Sequence, residues 1–187
     1  MSKLPYPWMR WLPLVAKGLL LVWACTPRVP EIDEIDDMRS EMRRLLESHG
    51  AQSEVFMTKA LTLARKQEDF AKKYPNHPSV PRMLVEAAEI YGTYFGDAQK
   101  AVQLLRIIDL RFRQKSPVAP KALFYEAFLY ETMLNDTAKA RQCYEDFLQY
   151  YPDHELAKDA RLSLENLGKS PEEVIEKILK GQPTSRQ

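Results

Sequence analysis

Identities recur at one offset along the chain. Pro78 and Pro117, Pro81 and Pro120, Leu84 and Leu123, Ala88 and Ala127, Tyr91 and Tyr130, Asp97 and Asp136, and Ala101 and Ala140 are each 39 positions apart. Apolar character is kept at the same offset by Phe95 with Leu134, Leu105 with Tyr144, and Ile108 with Phe147. A chain that repeats itself in this way builds one unit more than once and stacks the copies, because a single unit cannot bury its own apolar face.

The spacing within each copy is helical. Leu84, Ala88, Tyr91 and Phe95 follow i, i+4, i+7, i+11, and so do Leu123, Ala127, Tyr130 and Leu134. Each run then meets F-G-D or L-N-D, where glycine or asparagine takes the left-handed conformation that ends a helix. Second helices are expected at about Ala98–Gln114 and about Thr137–Tyr150, which makes each copy a helical hairpin. Only 6 glycines occur in 187 residues. Alternating Val/Ile/Thr-rich runs are nearly absent, and Ala, Leu, Glu, Lys and Arg abound, so the fold class is all-α. Ala88, Ala101, Ala127 and Ala140 let helix backbones approach closely, Tyr91 and Tyr130 fill the gaps between helices, and Tyr144 and Pro152 complete the packing set.

Two stretches close a unit in the same way: F-L-Q-Y-Y-P-D-H, Phe147 to His154, and F-A-K-K-Y-P-N-H, Phe70 to His77. Small residues at helix crossings, aromatic fillers and a proline after the second helix resemble the tetratricopeptide repeat (TPR). The chain departs from the 34-residue consensus of that family by its longer period and by Arg113, where the middle unit would carry proline. Longer units are familiar in BamD-like lipoproteins of β-barrel assembly, and Ala122–Lys169 is similar to that group and to TPR lipoproteins of Bacteroidetes. The resemblance, over about Gln52–Leu179, implies a right-handed solenoid of antiparallel helix hairpins, about three repeats plus capping helices. It also implies a protein or peptide partner held on the first helices, and no catalysis.

Flanking elements are expected to complete the stack, with the solenoid spanning 51–180. A leading helix, 32–50, carries the apolar stripe Ile32, Ile35, Met38, Met42 and Leu45 and begins acidic, as the helix dipole prefers; its docking is expected to be loose. Further helices are expected at about Gln52–Lys73 and Glu155–Leu167. Ser170, Pro171 and Glu173 form a capping box that opens a last short helix towards Lys180. The tail, 181–187, reads as disordered.

The beginning of the chain reads as an address. Lys3, Arg10 and Lys17 precede the apolar run, no acidic residue occurs before Glu31, and small Ala24 stands before Cys25. About 14 apolar positions, broken by Pro13 and Lys17, are too few for a bilayer-spanning helix, which needs roughly 20. The run Leu19 to Cys25 resembles the lipobox of bacterial lipoproteins. That resemblance makes 1–24 a signal peptide, with Met9 as an alternative start, Val22 and Ala24 its recognition residues, and Cys25 the acylated first residue of the mature protein. Trp23 stands where the lipobox usually carries a smaller side chain. Residues 25–31 read as a tether, and Thr26 after Cys25 favours the outer membrane. An acylated Cys25 leaves Cys143 without a disulfide partner, and Cys143 is expected to pack as a small buried residue.

Catalysis is not expected. His77 and His154 read as solvated turn residues, no ligand cluster suggests a metal, and no phosphate loop, nucleophile elbow or H-E-x-x-H is present. No cofactor or small-molecule substrate is expected, and a net charge of +1 disfavours nucleic acid. What remains is recognition. A second stripe on the first helices holds Met83, Ile90 and Tyr94, then Leu129 and Met133, with Tyr125 beside it; these positions either form an adaptable partner groove or meet neighbouring helices. The functional expectation is a membrane-anchored, non-catalytic adaptor facing the periplasm, with outer-membrane protein assembly as its setting. A soluble secreted or cytosolic module, or an accessory to a peptidoglycan or cell-division enzyme, is the alternative.

Overall fold

The computed structural model describes residues 29–170 and 172–176. The expected signal peptide, with Val22, Ala24 and Cys25, lies outside these residues, as does the tail 181–187. The chain divides into two units, Met1–Glu34 and Ile35–Gln187. Of the first, residues 29–34 are described, and from Pro30 they are helical. The expected tether therefore ends earlier than 31. Proline is tolerated in a first helical turn, whose N–H groups have no intrahelical partner in any case.

The helices in chain order are α1 (Pro30–His49), α2 (Glu54–Lys73), α3 (Val80–Glu89), a π-helical turn (Ile90–Tyr94), α4 (Ala98–Phe112), α5 (Ala119–Thr132), α6 (Thr137–Tyr150) and α7 (Ala157–Asn166). No strand occurs among the described residues. From α2 onward each helix packs along the next, α2 on α3 through to α6 on α7. The described part of the second unit is thus an all-α stack of repeated hairpins.

Local chemistry starts and stops these helices as the period demands. The Asp97 carboxylate accepts from the Lys100 N–H at 2.9 Å, and the Asp136 carboxylate accepts from Lys139 at 3.0 Å, each satisfying a free donor of the first turn. Gly96 at φ 65° and Asn135 at φ 51° supply the left-handed residue before each cap. The reversals superpose in their wide bonds too, Asp97 N–H to the Tyr91 carbonyl at 3.0 Å and Asp136 N–H to the Tyr130 carbonyl at 2.8 Å. At the far end, Ser170 and Glu173 form a reciprocal capping box, at 3.2 and 2.7 Å.

The core is the set that the period marks. Leu84, Ala88, Ala101, Leu105 and Ile108 are buried in one unit, and Leu123, Ala127, Ala140, Tyr144 and Phe147 in the next. Tyr91 and Tyr130 are buried as well, and each lies under a lysine: Lys100 is 5.6 Å from the Tyr91 ring centre and Lys139 5.2 Å from that of Tyr130. The Tyr91 hydroxyl donates to Glu68 at 2.7 Å, and burial with that carboxylate pushes its pKa up to about 12. Pro152 is exposed rather than packed. Its ring ends the helix, and the packing at that turn is done by its neighbours.

Those neighbours include the histidines. His77 stands edge-on to Phe70 at 5.3 Å and accepts the Ser79 N–H on Nδ1; His154 stands edge-on to Phe147 at 5.7 Å and accepts the Leu156 N–H on Nδ1. They are half-buried caps of the following segment, not solvated turn residues. The middle unit, which has Arg113 in place of the closing proline, is held differently. Arg113 pairs with Asp109 at 2.5 Å and lies 4.0 Å from the Tyr150 ring centre, while the Tyr151 hydroxyl donates to the Arg113 carbonyl at 2.5 Å. The end of α6 thus takes over a job that proline does elsewhere.

Candidate functional site

The first helix of the 78–116 unit does not finish as an α-helix. Over I-Y-G-T-Y the hydrogen bonding widens into a π turn, which fits one more residue into the turn and rotates the residues beyond it; such turns concentrate at functional sites. Gly92 is central to it, because a Cβ there would lie 2.5 Å from the Tyr125 hydroxyl of α5. The widened turn keeps Tyr91 in the core and turns Tyr94 towards α2, where its ring meets Phe56 edge-on at 4.9 Å.

Beside this turn lies an open groove of about 470 Å³. Its apolar lining is Met42 and Leu46 of α1, Leu63 of α2, Ile90 and Tyr94 of the π turn, and Tyr125 of α5. Arg39, Arg43, Glu86, Glu89 and Thr93 supply the polar part. Glu86 is the electrostatic centre: its Oε2 accepts from Arg39 Nε at 2.9 Å, Arg39 Nη2 at 2.6 Å and Gln67 Nε2 at 2.6 Å. Arg39 also bonds Asp36. Burial opposes the charge on Arg39, and the bonds to Glu86 and Asp36 outweigh it, so its pKa is raised. Glu89 is taken up by Lys121 of α5 at 2.6 Å. Burial likewise raises the pKa of Tyr125, which stacks on exposed Phe128 at 6.4 Å.

The six residues of the second stripe separate here. Ile90, Tyr94 and Tyr125 come together in the groove. Met83 and Leu129, at 0% and 1% exposure, are core, because the second stripe of each first helix meets the neighbouring unit. Met133 is exposed at the end of α5, away from the groove lining. Sequence reasoning misses the contribution of α1 to the site, although Met42 stands in its apolar stripe; only the fold shows that this stripe faces the first helices of later units.

A second, polar pocket of about 230 Å³ lies among α4, α5 and α6. Glu126 is 5% exposed in it, where the preceding unit has fully buried Ala87. Desolvation, with Asp109 adding to it, pushes the Glu126 carboxyl up to about 7, against the pull of Arg106 and a bond from the Cys143 thiol. Cys143 is therefore not a plain apolar packing residue. It is half-buried beside a carboxyl, and burial pushes its thiol up to about 12, which removes thiolate reactivity near neutral pH. No group of three or more metal-ligating side chains occurs among the described residues, and no described helix is long and apolar enough to cross a membrane.

The reversal, caps and closing turn of α5 and α6 recur as one unit, and that unit is recognisable. Residues 121–154 match the tetratricopeptide repeat family model. The match runs from the first turn of α5 to the capping His154, so that the tetratricopeptide repeat ends on the Tyr-Pro-Asp-His turn. No curated protein and no solved structure matches the chain. A tetratricopeptide repeat marks a protein-interaction module and typically serves as a non-catalytic scaffold. The groove at the π turn is lined by α1, α2, the end of α3, the π turn and α5.

Proposed function

We propose that the protein is a lipid-anchored adaptor of the bacterial envelope, whose groove between α1, the π turn and α5 holds an apolar segment of a protein partner. One observation carries the recognition part: the π turn and Tyr125 keep open, between otherwise tightly packed helices, a groove lined by Met42, Leu46, Ile90 and Tyr94. Thioether and aromatic side chains adapt to varied apolar shapes, which suits a peptide-binding surface. A photo-cross-linking phenylalanine analogue at Tyr94 is expected to give a discrete protein adduct in intact cells. The same analogue at exposed Leu162 is expected to give none. Equal labelling at both positions overturns the groove reading. An adduct with a barrel-assembly component supports a place in outer-membrane protein assembly, whereas a peptidoglycan or division enzyme moves the adaptor to that machinery.

The anchor rests on Leu19–Cys25 and the basic residues before it. Acylation at Cys25 with more than one chain gives stable membrane attachment without a spanning helix, and Thr26 favours the outer membrane. Cys25→Ser is expected to abolish labelling by a palmitate analogue and to release the protein from the membrane fraction. Full labelling of that variant would sink the anchor.

A further inference from the structure

We infer that α1, from Ile35 onward, is an arm that opens from the stack, and that the partner segment replacing it is an amphipathic helix with a cation one turn from an apolar residue. This rests on the groove reading above and adds the partner's chemistry and a gate: the segment enters beside Tyr94 and Tyr125 and, as α1 opens, takes the place of Met42 and Leu46 against Leu63 and Ile90. Every later helix packs closely along its neighbour, whereas α1 is absent from the closely packed pairs. Its attachment is made by side chains: Ile35 is fully buried, Arg39 reaches Glu86 of α3, Glu41 receives Lys59 of α2 at 2.7 Å, and Asp36 receives Arg82 at 3.5 Å. Behind α1 the chain turns at Gly50, φ 77°, in open space with no atom within 4 Å of a Cβ there.

The surface that α1 leaves behind defines its replacement. With Arg39 withdrawn, the floor beside Leu63 and Ile90 presents the Glu86 carboxylate. Next to it is the Gln67 amide, whose Oε1 is buried without a hydrogen-bond partner even when α1 is in place. A half-buried carboxylate beside a buried, orphaned carbonyl oxygen favours a cation that donates to both. Apolar floor and acceptor pair together fit Arg or Lys with an apolar residue one turn away, which is the spacing of Arg39 and Met42, both of α1 and both in the groove lining.

Hydrogen exchange on the full chain tests the arm. Arg39→Ala is expected to speed exchange of amides 35–49 at least tenfold while α5 and α6 stay unchanged. Exchange of 35–49 that is unaltered, or that rises only in step with α5 and α6, overturns it. A fluorescein-labelled peptide of residues 30–49 tests the replacement. It is expected to bind the Arg39→Ala chain at least tenfold more tightly than the unaltered chain, and to lose that binding when the peptide itself carries Arg39→Glu. Binding indifferent to either change overturns the proposal. Neither experiment needs the natural partner, so a failure here leaves the Tyr94 cross-link standing, and a failed cross-link leaves the arm standing.

Discussion

Phe147→Ala is expected to remove about 4 kcal/mol of folding stability, the range for deleting a fully buried aromatic, and to lower Tm by roughly 10 °C for a chain of this size. Phe147 has no exposed surface, meets Phe124 edge-on at 5.8 Å, and packs on Tyr151 at 5.5 Å and His154 at 5.7 Å. Its loss empties the joint of α5, α6 and the closing turn together. Thermal and denaturant unfolding of the variant check this. A loss below about 1 kcal/mol would mean that the turn, not the ring, holds the joint.

Glu126→Gln is expected to gain stability on the unaltered protein as pH rises, by about 3 kcal/mol between pH 5 and pH 8, at about 1.4 kcal/mol per pH unit of displaced pKa. The Glu126 carboxyl titrates near 7 in the fold against an ordinary 4.5. The folded state therefore holds the extra proton between those values. Its contribution is intact below about pH 4.5, declines as pH rises through about 7, and is lost above that. Glutamine keeps the shape and removes the proton, so the difference between the two proteins isolates this one group from the other carboxylates. Urea unfolding of both across that range gives the slope, and a difference that stays constant with pH would show Glu126 to be solvated in the fold.

The same residue shows where sequence reading stops. The 39-residue offset identifies which face of each helix is apolar, because periodicity depends only on the helix itself. Gly96 and Asn135, Asp97 and Asp136, and Ser170 with Glu173 are legible for the same reason: caps and reversals are settled within a few residues. Glu126 lies on the face of Ala122 and Leu129, and its state is decided first by its burial in the pocket among α4, α5 and α6 and then by Asp109 and Arg106 of α4, which no local pattern relates to it. The π turn is similarly hidden, since I-Y-G-T-Y reads as ordinary helix until Tyr125 approaches Gly92. Part of the groove is illegible in the sequence because α1 contributes Arg39, Met42, Arg43 and Leu46 from a helix outside the repeated block.

The two histidine turns lie 77 residues apart and are chemically alike: the same phenylalanine edge, the same tyrosine carbonyl, the same Nδ1 acceptor. The helix after one junction is started by the same contacts as the helix after the other. A second copy of residues 78–154 spliced in after His154 would meet a joint that already accepts its first helix. Such a chain lengthens by whole blocks without a new interface having to be invented, and each block brings one more π turn with it.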